Sequence, residues 1–287
     1  MAMLGVVVIW GVNHTIVKST LSEMTPLVFS SLRHAGASVI LLVLARSTER
    51  DLSIARRDWW WILVLGVIST VIYPVLYVTG IGLCTASNAS LILSTSPIFV
   101  ALMSAATRTE TIHGWNWAGI LLSFAGIFLV VTGGRTGIAM DPQSLLGNLL
   151  VLGSTITWAL YTVLSKRVTR RNSVLSATAW MMASATPLLV IIALPDLLAQ
   201  DWQAVSLQSW LGLFYSSALS VAVGWVIWNI GVQRLGSTRT SLYVYLMPVV
   251  AVIVARVFLG ETMEPLQVVG AMGSLLGVAL GRYRPQR

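Results

Sequence analysis

Apolar residues run almost without interruption through ten stretches of the chain, and charged residues fall between them. The stretches lie near residues 2–20, 26–45, 59–80, 85–106, 113–132, 146–166, 173–194, 209–232, 237–257 and 264–281. Each is about 20 residues long, enough for a helix to cross the hydrocarbon core of a bilayer. The strict alternation expected of barrel strands is not seen. No small-residue cleavage site follows the first stretch, which therefore reads as a retained span rather than a signal peptide. The pattern predicts an all-α membrane protein with ten transmembrane helices.

The chain also reads itself twice. At an offset of 151 residues Gly80 meets Gly231, Ser90 meets Ser241, Pro97 meets Pro248 and Glu110 meets Glu261. Gly119 meets Gly270 and Gly126 meets Gly277; at offset 148 Trp10 and Lys18 meet Trp158 and Lys166. Residues 1–134 and 146–287 thus form two related units of five spans each. Five is odd, so the second unit enters the membrane from the opposite side and the repeats are inverted. Many secondary transporters are built this way and work by alternating access to a site near the midplane.

Composition and charge narrow the class. Fifty-six per cent hydrophobic residues, ten per cent charged residues and a mean hydropathy of +0.82 exclude a water-soluble domain. With the N-terminus placed inside, the inner segments hold fourteen basic residues, while only Lys18, Arg135 and Arg256 fall outside and Arg33 lies within a span. This bias predicts cytoplasmic termini and accounts for the basic balance through topology and anionic lipid, leaving no call for nucleic acid. Seven tryptophans (59, 60, 61, 115, 117, 202 and 210) sit at predicted span ends, where indole rings anchor at the interface. The single cysteine, Cys84, excludes an internal disulfide and a cysteine-based zinc site. With no phosphate loop, metal-ligand cluster or nucleophile–base arrangement, the sequence predicts neither an enzyme nor a cofactor.

The segments "PVVAVIVARVFLGETMEPLQVVGAMGSLLGVAL", "PIFVALMSAATRTETIHGWNWAGILLSFAGIFLVV", "IWGVNHTIVK" and "SLRHAGASVILL" carry a family likeness. Over residues 4 to 281 the chain resembles the drug/metabolite transporter superfamily, EamA type, in which the mid-span Pro, the following Glu and the Gly-rich last helix recur in each repeat. Within that family it is most similar to bacterial exporters of aromatic and other neutral amino acids. The resemblance implies an inner-membrane efflux protein whose pocket is lined by spans one, three, four, six, eight and nine, with five and ten packed outside.

Candidate pathway residues follow from polar and aromatic positions inside the spans. Ser87, Ser90 and Ser94 share one face of span four, and their repeat partners Thr238, Ser241 and Tyr245 share one face of span nine. This stripe suits an aqueous cavity or interhelical hydrogen bonds. Pro97 and Pro248 leave carbonyls unpaired on the same helices. Trp10 and Trp158 form a central pair, with Tyr161 one turn on. Tyr73 and Tyr77 on one side and Trp225 and Trp228 on the other would add an aromatic layer each. All ten acidic residues fall in loops or at span ends, so a coupling carboxylate inside the membrane is not expected. Asn13 and His14 have the best claim among polar groups; Arg33 is expected to snorkel to the nearer interface, and His34 completes the titratable set. Gly270, Gly273, Gly277 and Gly281 form a small-residue face that serves packing within a monomer or, alternatively, a dimer. The expected activity is export of small neutral metabolites, foremost aromatic or apolar amino acids, down the substrate gradient. A lipophilic-drug pump is the rival transport reading; a channel or a membrane sensor is the rival of another class.

Overall fold

A computed structural model of the chain describes residues 2–49, 51–84, 86–132, 142–247, 249–250 and 265–282. Within helices, the side chains of His14, Lys18, Ser87 and Ser90 fall outside that description, as does Pro248. The secondary structure of the described residues is all helical, with no strand among them.

Helices occupy each of the ten predicted spans among the described residues, span nine as far as residue 250. They are α1 (Ala2–Thr20), α2 (Pro26–Thr48), α3 (Arg56–Leu83), α4 (in two pieces, Ala86–Leu93 and Ser96–Ala106) and α5 (Gly114–Thr132). The second half supplies α6 (Pro142–Thr169), α7 (Val174–Ala199), α8 (Leu207–Leu235), α9 (Ser237–Ser241, tightening to 3₁₀ over Leu242–Tyr245) and α10 (Pro265–Arg282). Five are long and apolar enough to cross a membrane, and apolar segments of α1, α4, α5 and α10 are shorter. Large apolar side chains such as Val43, Leu121, Ile191, Phe214 and Leu276 are exposed on their outer faces, as a lipid-facing surface requires.

Residues related by the sequence repeat meet one another, which fixes an inverted two-fold arrangement. Helices α5 and α10 pack closely in antiparallel fashion. At their crossing the Ser123 hydroxyl donates to the carbonyl of Ser274, its own partner 151 residues on. Above and below, Gly119 faces Gly277 and Gly281, while Gly126 faces Gly270. Each glycine thus meets the repeat counterpart of the other, as a two-fold axis across the helices demands. The same axis relates α2 and α7, where Ser38 and Thr186, 148 residues apart, share a hydrogen bond of 2.9 Å. Their ends match too. The Thr25 hydroxyl caps α2 and donates to Asp196 near the end of α7. The Ser173 hydroxyl caps α7 and donates to Glu49 at the end of α2.

Two departures from α geometry recur in both halves. The Tyr73 amide bonds the Ile68 carbonyl five residues back, and the Gly224 amide likewise bonds the Leu219 carbonyl. These are π segments, Val67–Ile72 in α3 and Ser216–Val223 in α8, at equivalent repeat positions. Pro97 does not sit mid-helix, as the sequence predicted. Helix α4 breaks at residues 94–95, so Pro97 opens the second piece, where its missing N–H costs nothing. The Ile92 carbonyl before the break accepts from both the Thr95 amide and the Thr95 hydroxyl.

At one end of the bundle, Glu110 joins both halves. Its Oε1 accepts from Lys166 Nζ at 2.7 Å and from the Ser237 amide at 2.6 Å, and Oε2 accepts from the Thr238 amide at 3.1 Å. The carboxylate thereby caps α9, where the helix dipole favours negative charge. Gly236 admits it on two counts: its φ is +94°, and a Cβ there would strike the carboxylate. Burial alone would raise the Glu110 carboxyl. Its hydrogen bond from Lys166, the Thr238 amide, the Lys166 charge and the Ser237 amide outweigh that and hold it below its ordinary 4.5.

Two predictions follow from these contacts. Gly277→Leu drives a side chain into the Ser123 backbone and should destabilise the protein in thermal unfolding by about 1–3 kcal/mol. Gly5→Ala, with nothing within 4 Å, should be neutral or stabilising. Equal tolerance of both changes would mean that the α5–α10 crossing does not hold the halves together. For Glu110, the native pKa lies below the unfolded one, so its contribution is complete above about pH 4.5 and is lost as pH falls through the lowered native value. Glu110→Gln should therefore be less stable than wild type at pH 7, with the gap closing below about pH 4.5; a gap unchanged by acid would sink this role.

Candidate functional site

The π segments and the repeat axis meet at a cluster of aromatic rings near mid-length of the helices. Trp158 on α6 is its hub. Its ring lies 5.7 Å from Trp10, edge-on, 5.1 Å from Tyr73, 5.5 Å from Tyr161 and from Trp225, and 5.4 Å from Trp228. Trp10 also lies 5.3 Å from Trp228, Tyr161 lies 5.5 Å from Trp225, and Tyr73 stacks on Tyr77 at 5.6 Å. Offset and edge-to-face ring pairs of this kind contribute about 0.5–1.5 kcal/mol each beyond area burial. The seven aromatic residues singled out from the sequence come together here. They form one continuous body, not a central pair with two separate layers.

Local sequence explains why the two halves fill this space differently. Tyr73 has Gly224 as its repeat counterpart, and a Cβ at Gly224 would meet Trp10 Nε1 at 2.6 Å. The bare glycine lets the Trp10 indole lie on the α8 backbone, where Nε1 donates to the Ser220 carbonyl inside the π segment at 2.8 Å. Tyr73 instead sends its own ring onto Trp158. Both rings, Trp10 from α1 and Tyr73 from α3, belong to the first half, and the second half offers bare backbone at Gly224.

Polar groups are threaded through the rings. The Asn13 amide oxygen accepts from the Ser216 hydroxyl at 2.7 Å, tying α1 to the start of the α8 π segment. Trp228 Nε1 donates to Thr162 Oγ1 at 3.2 Å. Asn229 Nδ2 donates to the Tyr161 hydroxyl at 2.7 Å and to Thr178 Oγ1 at 3.0 Å, while its Oδ1 has no partner among the described residues. The His34 ring stands edge-on to Trp225 at 6.0 Å. His34 Nδ1 lies 2.8 Å from the Ser30 carbonyl, an acceptor, so Nδ1 carries the proton and Nε2 presents a buried lone pair without a described partner.

The hydroxyl stripe is only partly assembled in this cluster. Ser94, Thr238, Ser241 and Tyr245 are all buried. Ser241 donates back to the Thr238 carbonyl at 2.8 Å, as serines inside helices commonly do. The Thr238 and Tyr245 hydroxyls have no described partner. Span nine packs on the second piece of α4, beyond the stripe serines of the first piece. The expectations for His14, Ser87 and Ser90 concern side chains outside the described residues.

Arg33 corrects the sequence reading. Instead of snorkelling to an interface it is 5% exposed, with its guanidinium 5.2 Å from the Phe29 ring. The reason is that Arg33 lies on the buried face of α2, a helix that packs on α7 and on the α8 π segment. Sequence reasoning also passed over Asn229, Thr162, Thr178 and Ser216. Their available signal was simple: an amide or hydroxyl inside an apolar span must find a partner there. The small-residue face of α10, in turn, is occupied by α5 of the same chain.

Two separate stretches of the chain, residues 1–132 and 145–282, match the sequence profile of the EamA-like transporter family. The chain belongs to that family. Similar proteins include the uncharacterized transporter YyaM of Bacillus subtilis, 25% identical over 96% of this chain and 90% of its own. An uncharacterized transporter of Synechocystis is 26% identical over 97% of this chain and 88% of its own. A crystal structure of another protein shares the fold, with a TM-score of 0.83 at 18% identity over 97% of this chain and 94% of that one. As an EamA-family member the chain is a multi-pass membrane transporter.

Proposed function

We propose that this transporter exports small neutral metabolites, foremost amino acids with aromatic or apolar side chains, by alternating access at the Trp158 cluster. The observation that carries the reading is that cluster itself: seven aromatic residues from four helices of both repeats, gathered on the two-fold axis with amide and imidazole acceptors beside them. Rings offer an apolar body the contacts it would otherwise make with other rings, and buried acceptors suit a donor such as an ammonium. An inverted repeat provides two equivalent half-pathways, one to each face, from such a centre. The seven described carboxylates lie at helix ends or in loops, which supports movement down the substrate gradient without an obligatory ion. The charge bias of the loops supports a bacterial inner-membrane location with both termini cytoplasmic.

Purified protein in liposomes tests the activity. Labelled phenylalanine and other aromatic amino acids should undergo counterflow with no ion gradient. Trp158→Ala should slow it at least about tenfold, the loss of one or two ring contacts. Trp60→Ala, at a side chain 70% exposed and remote from the cluster, should stay within about twofold. Uptake that requires an imposed pH gradient would refute the coupling, and indifference to Trp158→Ala would refute the site. Topology has its own check. A reporter active only in the periplasm, fused after Arg287, should be silent, and strong activity would reverse the orientation.

A further inference from the structure

Arg33 is a permanent cation placed inside the bundle, with no carboxylate paired to it among the described residues. An arginine does not lose its proton in a protein, so burial cannot be relieved by titration. Its side chain makes no hydrogen bond or ion pair to the described residues, and Nε is buried without a partner. The carboxylates that would answer it are engaged elsewhere. Glu23 accepts from the Ser206 amide, Glu49 from Ser173 and Ser176, and Asp51 from Ser53. Asp58 is held by Asn172 and Arg171, Glu110 by Lys166, Asp196 by Thr25, and Asp201 by the Gln203 amide. These are all of the acidic residues described.

The surroundings of Arg33 lead to the aromatic cluster. Phe29 lies one turn before it on α2 and shares its face. The Tyr73 and Tyr77 phenols are within electrostatic reach, and Tyr73 stacks on Tyr77 and touches Trp158. The next residue, His34, faces Trp225 on the other side of the cluster. A planar five-donor fork therefore lies beside the aromatic cluster. Inside a membrane a buried charge is retained at a cost, and a guanidinium has the geometry to take a carboxylate through two parallel hydrogen bonds.

We infer that Arg33 is the receptor for the carboxylate of the transported molecule, so that the substrate class is an organic acid or zwitterion whose apolar body rests on the Trp158 cluster. This rests on the proposed transport site but adds a requirement that the rings do not impose: the ligand must end in an anion. Phenethylamine-like or neutral lipophilic compounds satisfy the rings and fail at Arg33.

The test compares ligands that differ at the carboxylate alone. Binding of L-phenylalanine, L-phenylalaninamide, 3-phenylpropionate, 3-phenylpropanamide, 4-methylpentanoate and 4-methylpentanamide is read by intrinsic tryptophan fluorescence and by thermal stabilisation of the purified full chain. Wild type should bind each acid at least about tenfold more tightly than its amide, the weight of a charge-assisted hydrogen bond. Arg33→Gln should bring the acids down to the level of the amides and leave the amides within about twofold. Arg33→Lys, which keeps the charge and loses the fork, should recover part of the difference. Equal binding of acid and amide by wild type overturns the inference however the variants fold, and tight but equal binding of the phenyl compounds would leave the aromatic site standing. Arg33-dependent binding of 4-methylpentanoate with no phenyl compound bound would sink the aromatic site and keep the Arg33 receptor. Failure of wild type to bind any carboxylate ends both.

Discussion

Within a bilayer no water is present to satisfy a backbone amide or carbonyl, so any break in helical hydrogen bonding has to be answered by the protein itself. That constraint shapes this molecule wherever it departs from the α-helix. The π segment of α8 presents the Ser220 carbonyl, and the Trp10 indole takes it. The Tyr215 hydroxyl at the entrance of the same segment donates to the Ile9 carbonyl on α1. The break in α4 is met by the hydroxyl of Thr95. The Trp10 and Tyr215 bonds tie α1 to α8 beside the ring cluster. Polar chemistry inside the bundle therefore collects where the helices are irregular, and π segments are frequent at functional sites for this reason.

The inverted repeat then places those irregularities symmetrically and lets the sequence depart from symmetry in side chains alone. The bonds from Tyr73 to Ile68 and from Gly224 to Leu219 are equivalent in backbone and unlike in what they carry. A ring at one position and bare backbone at the other shift the aromatic mass across the axis without changing the scaffold. Packing at the axis is less negotiable. At the α5–α10 crossing backbone meets backbone, with glycine facing glycine or serine, and added volume has nowhere to go. A core fixed there and adaptable at the rings separates the part that holds the halves together from the part that can discriminate ligands.

Much of the fold was legible from one sequence because its signals are long. A span of about 20 apolar residues is hard to mistake, and an offset of 151 pairing Gly119 with Gly270 and Gly126 with Gly277 marks the two halves as related. Trp10 and Trp158 as partners were readable for the same reason, and they meet. What the sequence hid is short-range. The π segments carry no period of their own in the hydrophobic pattern, since both faces of α3 and α8 are apolar. Arg33 looked like an interfacial residue because distance from a span end says nothing of which face a side chain occupies. That face is set by α7 and α8, which pack on α2 from far along the chain. Asn229 escaped notice for a similar reason: its partners Tyr161 and Thr178 lie on two other helices.

The closeness of the rings bears on how a guest would enter. Trp228 is 1% exposed, Tyr161 is 1% and Trp158 is 7%, so the cluster satisfies itself in this conformation. A molecule admitted there has to separate rings that already touch, and only a body able to restore comparable contacts does so at small net cost. With each ring pair contributing about 0.5–1.5 kcal/mol, an aromatic guest that replaces two or three of them leaves the balance near zero, whereas a hydrated polar guest leaves it unfavourable. Small net cost matters more to a carrier than tight binding, since a centre that holds its ligand strongly in one conformation also resists the change to the other. Selection at such a centre thus falls to the few groups the rings cannot satisfy among themselves. Among the buried polar groups beside the rings, Asn229 Oδ1, His34 Nε2 and Arg33 Nε have no described partner.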